Sequence, residues 1–457
     1  SSNNSVATST VFSGTAKAWL SMNGDGTIAI RDSFNITSIS DEGVGLTNVT
    51  IASDMSDGNY SLSGASGTFI GNSDNVRLGF STETTPPTST LFRTITREAN
   101  DDNNRDVAKM GEILTNSQIG GRRNMVINGA MNVAQRATSA TGVGGTNEEY
   151  PTIDRFNFTT TSAGRFTMEQ VADVHDGFAN AMKLSCTTAD TSISASEALI
   201  LQTKFEGQDM QQLRYGSSSA ESITVSFYVK GNASATYTLE WRNEEDGRNI
   251  GKTFNVTTDW TRVIITFTGD TGGSPVDDDN SHAFTLGIWL HGGSTFSGGT
   301  FTENVYHSTH NQRIGDGQTS FLDSTDRTFF ITGLQMELGS QATPFEHRSF
   351  GEELELCKRY FELINGGILV GTTTDTTSVQ GDLRYSVSKR AGATIALKNT
   401  VYANDGATQV TVSGVSSSKD FTSGCLLDLT TGSLTNNEAI FVYANNEADG
   451  ITADAEL

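Results

Sequence analysis

The sequence predicts an all-β chain built mainly of antiparallel sheets: a small N-terminal β domain, a central jelly-roll β-sandwich and a C-terminal β domain, with short helices at the joints. Two observations predict it. Short alternating or continuously apolar runs recur along the chain, separated by Gly, Asn, Asp and Ser. The composition agrees, with 47 glycines and only 5 prolines in 457 residues, which suits many turns and argues against collagen or proline-rich linkers. At roughly 150 residues per domain, the length suggests about three domains.

Residues 1–102 read as a small β domain. AKAWLSM and TIAIRDSFNI flank an Asn-Gly-Asp-Gly turn, a strong hairpin signal because these residues accept positive φ. In residues 103–121, Val107, Met110, Ile113 and Leu114 fall at helical spacing. That predicts a short helical joint, although Gly111 weakens it. So short a helix is marginal alone, so its stripe must pack on its own domain or on an oligomer axis.

Residues 122–350 hold ITVSFYVKG, TYTLEWRN, TRVIITFTG, AFTLGIWLHG and RTFFITGLQMEL, a pattern calling for two packed antiparallel sheets. A helix is expected over 351–366: Ser349 and Glu352 have capping-box spacing, Leu354, Cys357, Phe361 and Ile364 recur on one face, and Asn365-Gly366 closes it. Strands return over 367–457 in GILVG, LRYSVSK, ATIALKN, TQVTVSG, CLLDL and EAIFVYAN. No fixed-period repeat marks a solenoid.

With 30 basic and 53 acidic residues the net charge is −23, which disfavours nucleic acid and anionic membrane surfaces as partners. No apolar run approaches the roughly 20 residues that span a bilayer. The three cysteines, Cys186, Cys357 and Cys425, have no metal or disulfide spacing. No G-x-S-x-G, H-E-x-x-H or Walker pattern occurs, so no catalytic residue is expected. His307 and His310 lie in a Ser/Thr-rich stretch that reads as a loop, and Asp277-Asp278-Asp279 reads as a solvated acidic loop; neither predicts a metal site.

RRNMVINGAMNVAQR (122–136) resembles a segment that recurs in tail-fibre and related receptor-binding proteins of tailed bacteriophages. YPTIDRFNF (150–158), FFITGLQMELGSQATPFEHRSF (329–350), EELELCKRYFE (352–362), KAWLSMNGDGTIAIRDSFNITSI (17–39) and the closing ADAEL fit the same resemblance in the same order. The resemblance implies a carbohydrate-binding-module-like jelly roll over 122–350, homotrimeric assembly, and partners among other tail or capsid proteins and host cell-surface glycan. It also implies a place in the virion, consistent with an opening SSNNSVATST that lacks the basic and apolar parts of a signal peptide. No cofactor is expected beyond a structural calcium, for which Glu337 and Glu346 stand where related modules often hold one.

Glycan recognition needs aromatic rings for stacking, with amides, carboxylates or Arg beside them. Strand alternation proposes which residues those are. With Ile223, Val225, Phe227 and Val229 inward, Tyr228 turns outward; with Phe284, Leu286, Ile288 and Leu290 inward, Trp289 and His291 turn outward. With Tyr237, Leu239 and Trp241 inward, Glu240 and Arg242 turn outward. If these strands share a sheet, its outer face gathers Trp289, Tyr228, His291, Glu240 and Arg242. The same face would also suit cover by a loop or a subunit. The expectation is a non-catalytic, multivalent virion adhesin. The alternatives are a structural or decorating virion protein with protein contacts only, and a polysaccharide depolymerase.

Overall fold

A computed structural model describes residues 18–23, 28–43, 46–52, 60–66, 76–80, 91–98, 109–116, 123–145 and 147–457. The chain forms two compact units, 1–122 and 123–457. Secondary structure is almost entirely antiparallel β, as predicted.

Among the described residues, the first unit holds two four-stranded sheets. In one, Ala18–Asn23 pairs with Ala29–Phe34 across the expected hairpin, with Trp19 opposite Phe34. Leu20, Met22, Val49 and Ile51 form its described core. The helical joint is corrected: Lys109–Asn116 is a strand, hydrogen-bonded to Ala18–Asn23 on one side and Tyr60–Ser66 on the other. Met110, Ile113 and Leu114 lie on this strand and not on a helix, and Val107 falls outside the described residues. Two neighbouring strands satisfy every second backbone group of this segment on each side, which outweighs a helical spacing already weakened by Gly111.

In the second unit, two six-stranded sheets enclose one core. The first runs in the order Glu148–Glu149, Asn157–Thr160, Ala198–Glu206, His282–Gly292, Ala235–Asn243, Asn249–Val256. The second runs Thr261–Phe267, Ile223–Gly231, Thr328–Leu338, Ala181–Thr188, Arg165–Val171, Ser139–Val143. Successive strands cross repeatedly between the sheets, in the manner of a jelly roll. All the residues expected inward on the three central runs are in the core, and Trp241 stacks on Phe284 at 4.6 Å between ring centres.

The helix after Ser349 spans Phe350–Lys358, with the Glu352 N–H donating to Ser349 Oγ at 3.3 Å. It stops eight residues earlier than expected at 366, because Phe361–Ile364 is a strand paired with Gly450–Asp454. The apolar positions Phe361 and Ile364 serve a strand as well as they would a helix, and the free edge of Gly450–Asp454 decides between them. Beyond it lies a closed six-stranded barrel, in the order Gly367–Asp375, Ser378–Arg384, Gly424–Thr431, Gln409–Phe421, Tyr402–Asn404, Ala439–Tyr443.

Several of the motifs that carry the phage resemblance, those at 122–136, 150–158, 352–362 and the closing ADAEL, meet where the sandwich joins this C-terminal part. Asn128, at φ 62°, donates to the carbonyls of Val133 and Asp154 at 2.8 and 2.9 Å. Gly129 can only be glycine, since a Cβ there would lie 2.0 Å from the Leu334 carbonyl oxygen. The Arg155 guanidinium packs 3.4 Å above the Tyr360 ring, pairs with Glu456, and donates to the Lys204 carbonyl at 2.6 Å. Arg136 lies 3.6 Å above the Phe361 ring and reaches Asp454 at 3.1 Å and Glu456 at 3.4 Å.

Asp154 is wholly buried here and accepts from the Gln135 backbone N–H at 3.0 Å. Burial pushes its carboxyl up from 3.8 to about 6, against the opposing pull of Arg136 and Gln135. A raised native value means the folded state binds the extra proton, so this group favours folding below that value and stops doing so as pH rises from about 4 to about 6. Urea midpoints compared at pH 4.5 and 6.5 are expected to fall less with rising pH in Asp154→Asn than in wild type; equal slopes would refute the assignment.

Candidate functional site

The five residues expected on one outer face divide between the two sheets. Trp289, His291, Glu240 and Arg242 share the first sheet, where Thr238 lies opposite Trp289 and Glu240 opposite Gly287. Tyr228 is on Ile223–Gly231 in the second sheet, on the other side of the sandwich. Alternation along one strand sets its own two faces but says nothing about which strands become neighbours.

The outward exposure of Trp289 and His291 is also corrected: both are 0% exposed. The long crossover between His282–Gly292 and Thr328–Leu338, with the short helix Ser294–Ser297, lies over that face. Ile314 and Phe296 pack on Trp289 together with Ala198 and Ile200. The Trp289 indole N–H and the Glu240 and Arg242 side chains beneath are consumed internally. Trp289 Nε1 donates to Glu240 at 3.0 Å, Arg313 clamps the same carboxylate at 2.7 and 2.6 Å, and Arg242 pairs with Glu244 at 2.8 Å. This is a second, buried polar core.

The crossover leaves a cleft of about 250 Å³, lined by Ile193, Gly292, Ile314, Asp316, Gln318 and Ser320. At its edge the His291 Nδ1 is 2.7 Å from Ser320 Oγ, and burial holds the imidazole below its ordinary value. Asp190 lies nearby; burial pushes its carboxyl up, but hydrogen bonds from Ser162 and Ala163 outweigh this and hold it low.

Around Tyr228, half-buried rings collect on the second sheet. His175 stacks on Tyr228 at 4.1 Å, Phe178 lies 5.5 Å from it, and Arg262 sits 5.9 Å above its ring. One face of Tyr228 is thus already taken by His175.

A more open aromatic surface lies on the barrel. Phe441 is 49% exposed and stacks on Tyr443 at 5.3 Å with planes 24° apart; Tyr402 follows at 5.8 Å and 31°. Strand register builds this row, since Tyr402 pairs with Tyr443 and Asn404 with Phe441. Asn404 and Gln409 lie alongside, and Tyr443 donates to Gln409 Oε1 at 2.5 Å. Inward-facing Ile440 and Val442 are 0% exposed, so the period-two pattern of EAIFVYAN already marks Phe441 and Tyr443 as outward.

Glu337 and Glu346, implied as calcium ligands, accept from protein donors: Glu337 from the Thr343 N–H at 2.9 Å and Glu346 from the Asn124 N–H at 2.7 Å. His307 bonds the Asn249 amide at 3.1 Å, and Asp277, Asp278 and Asp279 are exposed, as expected for a solvated loop.

No family model and no curated protein matches the chain. Among solved structures it is similar to a CBM4 module (12% identity, TM-score 0.26, 46% of this chain and 97% of that one). It is likewise similar to TmCBM61 in complex with β-1,4-galactotriose (9%, 0.24, 48% and 99%) and to the family 30 carbohydrate-binding module of the cellulosomal cellulase Cel9D-Cel44B of Clostridium thermocellum (12%, 0.24, 45% and 94%). With scores this low, the sandwich is defined by its own sheet order and shared core.

Proposed function

We propose that this chain is a non-catalytic glycan-recognising fibre or adhesin of a bacteriophage virion, assembled as a homotrimer among other tail or capsid proteins. The observation that carries glycan recognition is the row Phe441, Tyr443 and Tyr402: an aromatic row on the barrel's outer side, with Phe441 exposed, Tyr443 and Tyr402 half-buried, and the Asn404 and Gln409 amides beside it. Ring faces stack on the C–H surface of a sugar, while amides bond its hydroxyls. The virion role rests on the resemblance of the residues at the sandwich joint, Arg155 and its neighbours, to phage fibre motifs. Three copies would present three such rows, and weak single sites gain avidity through effective concentration.

The second reading, a structural or decorating virion protein, is favoured by Val370, which is 68% exposed and pairs with Phe441 across the strands. A contiguous apolar patch of that kind also suits protein contact.

One experiment separates the two. Host surface polysaccharide is expected to bind the full chain, with affinity falling about tenfold in Phe441→Ala and again in Tyr443→Ala, at an unchanged mass of three chains. Loss of the oligomer in those variants with no glycan binding in wild type supports the structural reading. A clean monomer that binds no glycan refutes both.

A further inference from the structure

We propose that Asp190, Glu197 and His291 form a binding site for a borderline divalent metal ion of the zinc type, bridging the 189–197 turn to the first sheet. Each residue offers one ligand atom, and the three atoms lie within 4.8 Å of one another. Strand register places them there. Leu199 is opposite His291, so Glu197 falls just beyond the end of the ladder, and the Gly293 N–H donates to the Glu197 carbonyl at 2.8 Å. Asp190 is held from the other side, its own N–H donating to the Leu322 carbonyl at 2.7 Å.

The independent sign of a missing partner is His291 itself. The residue is 0% exposed, yet its Nε2 has no hydrogen-bond partner, and the Glu197 Oε2 lies 3.7 Å away, beyond hydrogen-bond reach. The other ring nitrogen is engaged by Ser320 Oγ at 2.7 Å. If Nδ1 carries the proton, Nε2 turns a bare lone pair toward two carboxylates. If Nε2 carries it, a buried N–H goes unbonded. Either tautomer leaves a buried polar atom unsatisfied, which is costly. A cation satisfies the first arrangement, with Ser320 as the outer partner that fixes the ring.

The donor set selects the metal class. One imidazole nitrogen with two carboxylate oxygens suits zinc and its neighbours, whereas magnesium and calcium favour oxygen alone. Tetrahedral ligands about 2.0–2.2 Å from zinc stand roughly 3.4 Å apart, close to the His291–Glu197 separation. Asp190 retains an oxygen for the metal: its Oδ2 accepts from Ser162 and Ala163 at 2.6 and 3.0 Å, while Oδ1 meets only the Ser192 N–H at 3.3 Å. Water completes the shell.

The test uses the full chain, stripped with chelator and titrated with zinc alone by calorimetry, with the thermal midpoint read in parallel. One equivalent is expected to bind and raise the midpoint. Glu197→Gln and His291→Gln are each expected to weaken it by at least about tenfold, the loss that even outer-shell partners cause. Glu197 is partly exposed, so its variant decides the matter should His291→Gln fail to fold. Absence of stoichiometric zinc, or zinc bound equally well by Glu197→Gln, overturns the proposal. Neither result bears on glycan recognition at the barrel, which stands or falls on its own variants.

Discussion

Arg155→Met is expected to lower the unfolding free energy by about 3–5 kcal/mol, the cost of leaving a buried charge without its partner. Arg155 is 2% exposed, and the partner left behind is Glu456, whose side chain is 5% exposed. Burial disfavours the charged guanidinium, but Glu456 together with Tyr360, Tyr150 and Cys357 outweighs that and raises the Arg155 value above its ordinary one. Part of the loss is packing, since the guanidinium covers Tyr360 at 3.4 Å. Glu456→Gln strands Arg155 in turn and should cost a similar amount. The double variant should cost clearly less than the two losses added together, because the second change removes an already unpaired charge. Urea unfolding of the four proteins measures this; additive losses, or single losses below 1 kcal/mol, would show that the joint is not a coupled pair.

Trp289→Ala is expected to cost about 3–5 kcal/mol of stability, the range for removing a large buried aromatic side chain. It opens a cavity beneath Phe296 and Ile314 and removes one of the donors on Glu240. Arg313 still holds that carboxylate, so the damage is mainly one of packing. The denaturant midpoint is the decisive measurement. A variant that kept its midpoint and lost only glycan binding would place Trp289 in contact with sugar and contradict the covered face described above.

Much of the architecture is legible along single strands. The inward sets Ile223–Val225–Phe227–Val229 and Phe284–Leu286–Ile288–Leu290 follow from period-two alternation, because each side chain's face is set by its own backbone. The same reasoning, applied to EAIFVYAN, marks Phe441 and Tyr443 as outward on the barrel. It cannot say that Tyr228 and Trp289 belong to different sheets, because pairing depends on contacts between segments far apart in the chain.

The segment Lys109–Asn116 shows a related limit. Its spacing fits a helix as well as a strand, and the two strands beside it decide. Phe361–Ile364 is decided in the same way, by the open edge of Gly450–Asp454.

From sequence alone came the class of fold, the acidic character and the inward face of each central strand, since all three arise from local composition and backbone geometry. Tertiary structure alone decided that Trp289 is covered and that Arg155 meets Glu456, 301 residues away. It likewise decided that two carboxylates converge on a buried imidazole. Each of these depends on what a distant segment brings to the same place, and no periodicity along the chain encodes that.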